Sequence, residues 1–532
     1  MNELKEELRK EIPAFKEAGR KFIQKEITSA EFKAASGGMG VYAQRGGEKF
    51  MIRLRVLSGV VDYPALKFIY DITKQYSLDY IHLTTRQAIQ LHNLGLEDMI
   101  DVMEQSLEHN IITRGGGGNY PRNVSLSPLS GVEREEAFDV TPYAVFVNKY
   151  FVSRINTYRL PRKFKVAFSN NGNDSANASI ADLGFLAVEK DGKEYFQVYL
   201  GGSMGANGAI SLPYDELASP RDILYHVEAM LSLYQAEGDY QNKGRARIRY
   251  IVQRMGKDAF LECYKKHLDN TKQTQSLNIE INDGYNNIND TYNGTNNIYN
   301  NPEASEPALS SCPEGAIPQK QNDLYSVVIH PQGGLLRSVD LGRILEFVRE
   351  LEEVQIRLSM EEGMVIRNLT SQQALGLLEL TKAIRKTTRL GCSISCIGAS
   401  ICQIGIQDSQ ALLADIQDYF EAKGFTEDRL PSVSISGCVN SCARHQVGKI
   451  GFQGKKKRVG EKSEDAFTLQ IGGKVSGAGA ELAKDYGDLR ARDIPEFLYR
   501  FAVKLKDRDL GFNEYLSLHE GELEELIAEY RL

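Results

Sequence analysis

The feature that most constrains the fold is an internal duplication. At a constant offset of 275 residues and without a gap, MIRLRVLSGVV from Met51 lies over SVVIHPQGGLL from Ser326, so that Gly59 matches Gly334. At the same offset, IHLTTRQAIQLHNL from Ile81 lies over IRLSMEEGMVIRNL, with the alternation of half-buried strands. Amphipathic helical stretches lie between the two blocks in each copy. The sequence therefore predicts two similar halves built from strands and helices.

A second block repeats later in each half. LPRKFKVAF matches LPSVSISGC, LGFLA matches KIGFQG, FQVYLGGSMGANG matches FTLQIGGKVSGAG, and GGGGNYPRNV falls on the cysteine segment GCSISCIGAS. Chance similarity between short β-rich segments is the alternative, but the blocks agree in order. We predict an α+β, pseudo-two-fold duplicated fold, with mixed sheets and helices around a shared central cleft. One half has arginines and lysines where the other has cysteines.

Charge and hydropathy exclude several classes of protein. The 64 Lys and Arg residues against 71 Asp and Glu give a net charge of −7, which argues against nucleic acid as a partner. The start, MNELKEELRKEIPAF, alternates charges without an apolar stretch, and no run of about 18 apolar residues occurs, so neither export nor membrane insertion is expected. We expect a cytoplasmic protein. From Lys272 to about Ser311 the chain is rich in Asn, Thr and Tyr, as in a flexible linker or insert.

Five of the seven cysteines lie within about fifty residues of one another. Cys396 and Cys402 form a C-x5-C pair, and Cys438 and Cys442 form a C-x3-C pair. Four thiolates are the ligand set that a 4Fe-4S cluster requires. Structural zinc, which prefers shorter spacings, and unrelated buried thiols are the alternatives. The remaining cysteines, expected to be structural, are Cys263, Cys312 and Cys392.

The other half carries many cations on or beside its strands and glycine loops. They are Arg53, Arg55, Arg86, Arg114, Arg122, Arg162, Lys163 and Lys165. Arg53 and Arg55 alternate onto one strand face, as do Lys163 and Lys165. Like charges on a buried strand face are costly unless they meet anions, so a polyanionic ligand is predicted. A solvated edge strand is the alternative for any single pair.

Several weaker sequence features are consistent with the predicted ligand site. The run Gly115 to Gly118 suggests close backbone approach to a flat ligand, because no phosphate-loop lysine follows it. Gln90 and His92 share a strand face after Arg86, as ligand contacts or as satisfied core residues. The alternating run Arg245, Arg247 and Arg249 either reaches anionic groups or lies on a solvated face. The KKKR run at Lys455 to Arg458 is a surface hairpin or a dock for an acidic electron donor.

Together, these residues resemble the siroheme- and 4Fe-4S-containing sulfite and nitrite reductases. The paired cysteine motifs, TTRQ from Thr84, RNV from Arg122 and LPRKFK from Leu160 are similar to signatures of that family, over roughly residues 30–265 and 315–500. The resemblance implies that the four paired cysteines, Cys396, Cys402, Cys438 and Cys442, ligate the cluster. It also implies that Cys442 bridges the cluster to the siroheme iron.

The resemblance also implies roles for the cations. The implied siroheme contacts are Arg55, Arg86, Gln90, His92, Arg114, Asn119, Arg245, Arg247, Asn440 and Cys442. The implied catalytic residues are Arg53, Arg122, Lys163 and Lys165. These four would bind an oxyanion at the open axial position of the iron and help to protonate the oxygens that leave as water.

The expected organisation follows the duplication and the resemblance. The first half comprises a ferredoxin-like half-domain at 1–112, which pairs with 320–387, and a first siroheme- and substrate-binding repeat at 113–267. The Asn-rich linker follows at 268–319. The second half comprises the second ferredoxin-like half-domain at 320–387 and, at 388–532, a second repeat with the cluster cysteines and C-terminal helices.

The expected reaction is the six-electron reduction of sulfite to sulfide. Members devoted to nitrite resemble LPRKxN, whereas Lys163 and Lys165 follow the sulfite pattern. Nitrite reduction to ammonia and dual specificity are alternatives. Electrons are expected from a separate ferredoxin or flavoprotein, since neither module is visible in the sequence. A non-catalytic iron-sulfur carrier is a remote alternative that does not explain the cationic cleft. Val439 stands where the family commonly has proline, and this removes no ligand.

Overall fold

Four five-stranded sheets form the framework of the computed structural model, which describes residues 2–279 and 312–532. The strands of these residues are β1 (Val41–Ala43), β2 (Phe50–Leu54), β3 (Val60–Val61), β4 (Tyr80–Leu83), β5 (Ile89–Leu94), β6 (Ser125–Leu126), β7 (Val166–Ser169), β8 (Leu183–Lys190), β9 (Lys193–Leu200), β10 (Leu212–Pro213), β11 (Ile317–Pro318), β12 (Tyr325–Ile329), β13 (Leu335–Arg337), β14 (Gln355–Leu358), β15 (Met364–Leu369), β16 (Ile394–Ser395), β17 (Val433–Ser436), β18 (Ile450–Val459), β19 (Lys462–Ile471) and β20 (Lys484–Arg490).

The α-helices of the same residues cover the sheets and the C-terminus. They are α1 (Asn2–Ile23), α2 (Ser29–Ser36), α3 (Tyr63–Gln75), α4 (Leu96–Glu108), α5 (Thr141–Ser153), α6 (Ile223–Glu237), α7 (Ile248–Met255), α8 (Lys257–Thr274), α9 (Ser338–Val348), α10 (Ser371–Leu380), α11 (Ser409–Ala422), α12 (Ile494–Asp507), α13 (Phe512–Leu518) and α14 (Glu520–Tyr530). None of the described helices is long and apolar enough to cross a membrane.

The first pair of sheets exchanges an edge strand between the halves. The order β1-β2-β5-β4-β13 takes its last strand from the second half, and β11-β12-β15-β14-β3 takes its last strand from the first. Leu335 pairs with His82, and Ile356 pairs with Val61, in these antiparallel contacts. One continuous core therefore lies beneath both sheets.

The second pair of sheets uses one topology twice. β6, β7 and β8 are parallel and are followed by antiparallel β9 and β10. β16, β17 and β18 are likewise parallel and are followed by antiparallel β19 and β20. Each of these sheets has its own core beside the shared one. The predicted α+β class and the duplication of the fold are confirmed.

The backbone follows the 275-residue offset closely. β2 begins at Phe50 and β12 at Tyr325, which are 275 residues apart. Asn93 and Asn368 have φ values of 63° and 65°, at equivalent points of the two copies. Few non-glycine residues adopt this left-handed conformation, so its recurrence near the ends of β5 and β15 shows that a local irregularity was duplicated together with the strands.

The second block has a different register from the one that the sequence suggests. Val166 pairs with Leu183, and Val433 pairs with Ile450, so Val166 corresponds to Val433. Alignment of the two Leu-Pro motifs instead places Lys163 at the position of Val433. The register predicted from the sequence is therefore wrong by three residues. The reason is that the first half has three more residues than the second between its Leu-Pro and its strand.

The predicted linker at 268–319 differs at its start. α8 continues to Thr274 because Leu268 and Thr271 are buried against the first half. Residues 280–311 of the predicted linker lie outside the described residues.

Candidate active site

A left-handed turn after β17 presents the second cysteine pair. The chain turns at Ser441 and Arg444, where φ is 52° and 57°. These are uncommon conformations for residues with a Cβ, and they are typical of a loop whose shape is fixed by its surroundings. The turn buries Cys438 and leaves Cys442 exposed. The thiol expected to bridge two cofactors is therefore the accessible one.

The first cysteine pair follows β16. The N–H of Cys396 donates to Ile435 O at 3.1 Å, which places this segment beside β17. Cys396 Sγ accepts from Gly437 N–H at 3.2 Å and lies 3.1 Å from Ser409 Oγ, in the first turn of α11. The N-terminal end of a helix dipole favours a thiolate at such a position.

Cys402 reaches the other half of the molecule. It forms an isolated β-bridge with Gln44, in the hairpin between β1 and β2. Arg45 strengthens this contact, since its Nη2 donates to Gly405 O at 2.7 Å and its backbone N–H donates to Ile401 O at 2.9 Å. The cysteine segment of the second half is thus docked on the first half.

The four thiols lie close enough to act on one another. Burial raises the pKa of Cys396 to about 12, and Cys442 contributes to the rise. Burial also raises the pKa of Cys438, with contributions from Cys442 and Cys402. In the described chain, no three His, Cys, Asp or Glu side chains are spaced to hold a single metal ion. Four thiolates on one zinc would lie about 4 Å apart, so the arrangement suits a larger group such as 4Fe-4S better than zinc.

Two arginines converge on the glycine loop. Arg53 Nη1 donates to Gly116 O at 2.5 Å, and Arg122 Nη1 donates to the same carbonyl at 2.7 Å. Arg122 Nη2 also donates to Gly118 O at 2.8 Å. Backbone carbonyls carry only partial charges, so they offset two guanidinium groups incompletely. The pair therefore favours an anion in the cleft.

Of the two predicted lysines, Lys163 lies near Arg122 and Cys442, and Lys165 lies near Lys163 and Arg86. Burial lowers the pKa of Lys163 to about 7 together with the charges of Arg247 and Arg122, whereas Cys442 opposes this decrease. Burial holds the pKa of Lys165 well below its usual value, with Arg86 as the strongest charged contributor. A lysine whose pKa lies near the working pH, as that of Lys163 does, is suited to donating a proton and regaining it.

Arg86 links the cations to the cysteine loop. Its Nη1 donates to Ser125 Oγ at 3.0 Å. Burial lowers the pKa of Arg86 to about 9, and the charge of Arg444, two residues after Cys442, contributes to this decrease. Next to it, Thr85 Oγ1 donates to Cys442 O at 2.9 Å. The TTRQ turn thus contacts the loop that carries the exposed cysteine.

The donor set of this cleft fits a ligand with several carboxylates. In this part of the molecule, the Nε atoms of Arg114, Arg122, Arg247 and Arg249 are buried without a hydrogen-bond partner among the described residues. A buried guanidinium donor without a partner is costly, and it is satisfied when a carboxylate binds. The residues present therefore fit siroheme, whose periphery carries carboxylates.

The other predicted siroheme contacts differ in their surroundings. Arg55 is buried and donates to Asn148 Oδ1 at 3.1 Å and to backbone carbonyls of the glycine loop. Arg114 pairs with Glu11 of α1 at 3.2 Å. Asn119 is half-buried in the loop beside Gly118, whereas Arg245 is exposed ahead of α7.

The remaining three predicted siroheme contacts are Gln90 and His92, which lie on β5, and Asn440, which lies in the loop that carries Cys442. Gln90 Oε1 is 2.9 Å from His82 Nδ1 and 3.3 Å from His92 Nε2. Burial keeps the pKa of His92 well below its usual value, so this ring is neutral. Asn440 is exposed, and its Nδ2 donates to Cys438 Sγ at 3.3 Å.

Close packing within the protein explains two glycines of the run. A Cβ on Gly117 would lie 2.2 Å from Gly37 O and 2.3 Å from Tyr42 Oη. A Cβ on Gly115 would lie 2.7 Å from Arg55 Nη1. These two positions therefore require glycine, and the approach of a flat ligand to the run stays a prediction.

Sequence reasoning missed three residues of the site. Tyr42 Oη accepts from Gly118 N–H at 3.3 Å beside Arg53 and Arg122. Asp182 binds Arg247 at 2.8 Å. Arg444 Nη2 donates to Met360 O at 2.9 Å and fastens the cysteine loop to the second half. Tyr42 and Asp182 belong to no motif, and the only available signal for Arg444 was its position two residues after Cys442.

Comparisons with known proteins agree with this geometry. The model of the nitrite/sulfite reductase ferredoxin-like half domain matches residues 42–109, and that of the nitrite and sulphite reductase 4Fe-4S domain matches residues 117–272. The second match covers the first repeat, so the assignment of the cluster cysteines rests on the duplicated loop in the second.

Among the similar proteins, the ferredoxin–nitrite reductase of Leptolyngbya laminosa is 26% identical over 84% of this chain and 84% of its own. The sulfite reductase [ferredoxin] 1 of Mycolicibacterium paratuberculosis is 23% identical over 87% of this chain and 80% of its own. The structure of the Mycobacterium tuberculosis NirA protein superposes with a TM-score of 0.76 at 19% identity, over 93% of this chain and 92% of that one, which shows a common fold.

Two matched domain models, a duplicated fold and a four-thiol loop facing a cationic cleft lead to one assignment. The chain contains the ferredoxin-like half domain and the 4Fe-4S domain of the nitrite and sulfite reductases, enzymes that use siroheme and a 4Fe-4S cluster.

Proposed function

We propose that this protein reduces nitrite to ammonia at siroheme, with six electrons from a separate ferredoxin-type donor. The observation that carries the proposal is the position of Lys163, which is buried and is acted on by Arg122, Arg247 and the exposed Cys442. Similarity to ferredoxin–nitrite reductases supports nitrite and a ferredoxin donor. An iron-sulfur carrier without siroheme has no need for these cations.

The four cysteines would hold the cluster, with Cys442 on the side that faces the cationic cleft. When bound, siroheme supplies the iron at which the oxyanion is reduced, and the cluster supplies its electrons. Arg53 and Arg122 would bind the oxyanion, because both guanidinium groups meet at the same loop carbonyl. Their fixed positive charge stabilises negative charge that accumulates as electrons arrive.

Lys163 and Lys165 would donate protons to the oxygens that leave as water. Each departing oxygen takes two protons, so the site needs donors that are replenished from solvent. A lysine with a pKa of about 7 gives up its proton readily at neutral pH and regains it from water. Arg53 and Arg122 serve as binding groups, because a guanidinium group presents several N–H donors in a fixed geometry.

Sulfite reduction is the second candidate, and Lys165 is the observation that favours it. The residue lies beside Arg86, Lys163 and Arg247, so the anion would meet four cations. Sulfite carries more charge and one more oxygen than nitrite, and a second lysine suits both properties. The lysine argument favours sulfite, whereas the similarity to known enzymes favours nitrite.

The test is spectroscopic first and kinetic second. Protein purified without oxygen from cells that make siroheme should show porphyrin bands that shift when nitrite or sulfite is added. Turnover of the two anions with a reduced viologen dye or ferredoxin then gives kcat/KM for each. Broad iron-sulfur absorbance alone, with siroheme available in the cells, would refute the proposal and indicate a non-catalytic iron-sulfur electron carrier.

A substitution separates the two substrates. Lys165→Asn should lower kcat/KM for sulfite about tenfold more than for nitrite, because it removes one cation and one proton donor. Lys163→Arg is the matched control, since it keeps the charge beside Cys442. An unchanged ratio in Lys165→Asn would refute the lysine argument and leave nitrite as the substrate supported by similarity.

A further inference from the structure

We propose that Asp182 is a positioning residue for oxyanion reduction, which aligns Arg247 and Lys165 toward the bound anion. The inference rests on the proposed function of the cleft and adds a residue that belongs to none of its motifs. Asp182 is fully buried, directly ahead of β8. A fully buried carboxylate is rare unless it is paired and hydrogen-bonded.

Its two oxygens hold two different elements of the site. Arg247 Nη2 donates to Oδ1 at 2.9 Å and to Oδ2 at 2.8 Å. Lys165 donates its backbone N–H to Oδ2 at 2.9 Å, and its carbonyl accepts from Leu183 N–H at 3.2 Å. The carboxylate therefore joins the start of α7 to the lysine segment ahead of β7.

The charges around Lys165 give the carboxylate a second effect. The charged groups that act on this lysine most strongly are Arg86, Lys163, Arg247 and Asp182. Three of them are cations that disfavour an ammonium group, and Asp182 is the carboxylate that opposes them. The same carboxylate favours the charged form of Arg86. Asp182 thus helps several like charges to share one buried cleft.

The second half of the molecule shows that the fold does not require this carboxylate. The register of β7 with β8 and of β17 with β18 places Lys449 at the position equivalent to Asp182. Both backbones have the same role, since Gly201 N–H donates to Asp182 O and Gly472 N–H donates to Lys449 O, each at 2.9 Å. Lys449 is exposed. The acidic side chain therefore serves the cleft.

Asp182→Asn is the sharpest variant, because an amide of the same shape has only one acceptor. Its NH2 group would face either Arg247 or the Lys165 N–H, and both are donors. We expect wild-type siroheme and cluster content, a KM for nitrite or sulfite raised about tenfold, and a Kd from visible absorption titration raised equally. The alkaline limb of the kcat/KM profile should move about one unit to lower pH, because Lys165 loses its counter-charge.

Two further variants complete the experiment. Lys449→Gln, at the equivalent position of the second half, should leave every readout unchanged. Asp182→Glu keeps the charge but displaces the oxygens, so KM should rise while the alkaline limb stays in place. If Asp182→Asn does not fold, an unchanged KM in Asp182→Glu overturns the inference by itself.

The outcomes separate this inference from the proposed function. A wild-type protein without siroheme refutes the proposed function. An active wild-type enzyme whose Asp182→Asn variant has the same Kd, KM and pH profile refutes only the role of Asp182. Equal changes in Lys449→Gln would also refute it, because they would reflect a general effect on the fold.

Discussion

The cysteine loop at 437–448 and its counterpart at 170–181 have nearly the same backbone and different chemistry. Asp174 and Ser441 occupy equivalent positions and both have a φ of 52°. A Cβ on Gly184 would lie 2.0 Å from Ala178 O, and a Cβ on Gly451 would lie 2.0 Å from His445 O. The scaffold that presents the predicted cluster ligands therefore also forms in a half that has no cysteine at the equivalent positions.

The first half replaces the thiols with small polar side chains. Ser127 Oγ accepts from Asn170 N–H at 3.2 Å, as Cys396 Sγ accepts from Gly437 N–H at 3.2 Å. By the register of the sheets, Ser175 stands where the second half has Cys442. The comparison teaches that the loop shape is a property of the duplicated sheet and its glycines, whereas the chemistry depends on a few side chains.

The two loops are also stabilised differently. Asp174 is buried and accepts from Ser169 Oγ, Ala178 N–H, Ser179 N–H and Ser179 Oγ at 2.5 to 2.9 Å. Its equivalent, Ser441, has a buried Oγ without a partner among the described residues. We infer that hydrogen bonds fix the first loop and that the bound cluster fixes the second.

The largest effect is expected from exchanging the side chain of the exposed cysteine. Cys442→Ser should lower turnover by more than about 100-fold, because it removes a predicted metal ligand. The loss of a group that only contacts a metal ligand already costs up to roughly 100-fold. Ser175→Ala, at the equivalent position, should change turnover less than twofold. Viologen-coupled assays and the cluster's electron paramagnetic resonance signal measure both, and equal losses would contradict the assignment of the two loops.

Asp174→Ala should produce the largest loss of stability. It strands four buried donors, so the free energy of unfolding in urea should fall by about 4 kcal/mol. Ser441→Ala removes a hydroxyl without a partner and should change it by less than about 1 kcal/mol. Similar losses in the two variants would show that hydrogen bonds fix both loops equally.

A third comparison concerns Gln87 and Glu362, which are equivalent at the 275-residue offset. Gln87 Oε1 accepts from Leu126 N–H at 2.8 Å, and Glu362 Oε2 accepts from Ser395 N–H at 2.9 Å. Burial raises the pKa of Glu362 from 4.5 to about 8. The folded protein therefore binds a proton here in a pH range where the unfolded chain has lost it.

The sign of the pH dependence follows from that difference. Stability should decrease by about 3 to 4 kcal/mol as the pH rises from 5 to 8, and this contribution should then level off. Glu362→Gln copies the other half and should remove that decrease. Urea unfolding at several pH values measures it, and an identical slope in wild type and variant would place the ionisation elsewhere.

The smallest effect is expected in the hairpin of β18 and β19. Lys455 and Lys457 each contact Asp488 at 2.8 Å, and Lys456 pairs with Asp465 on the surface. Lys456→Ala should change the free energy of unfolding by less than about 0.5 kcal/mol, because both partners are exposed. The KM for reduced ferredoxin should stay the same. An increase in that KM would make the hairpin a docking site for the donor.

Much of the fold was predictable because the two copies of the duplication can be recognised by aligning the sequence with itself. The offset of 275 residues, the matched glycines and the strand alternation specify two copies before any contact is known. The exchange of β3 and β13 was not predictable, since two-residue and three-residue edge strands have no periodicity of their own. The sequence alignment misplaced Lys163 by three residues, because the repeated Leu-Pro motif is easier to recognise in the sequence than the strand that follows it.

The site was predictable only where one residue type dominates its chemistry. Thiols and clustered cations stand out in a sequence, so the four cysteines and residues such as Arg53, Arg122 and Lys163 were candidates from the start. Asp182 and Tyr42 are common residue types without a motif. Their environment is set by contacts with residues that are distant in sequence, such as Arg247 and Gly118.

The duplicated α+β architecture, the placement of thiols and cations in opposite halves, and the resemblance to nitrite and sulfite reductases can be read from the sequence alone. These properties depend on local order, spacing and composition. The three-dimensional packing was needed to show which strands cross between the halves, which thiol is exposed, and which carboxylate lies among the cations. Those properties depend on burial and on distances between remote segments, because the cost of a buried charge is set by the groups that surround it in space.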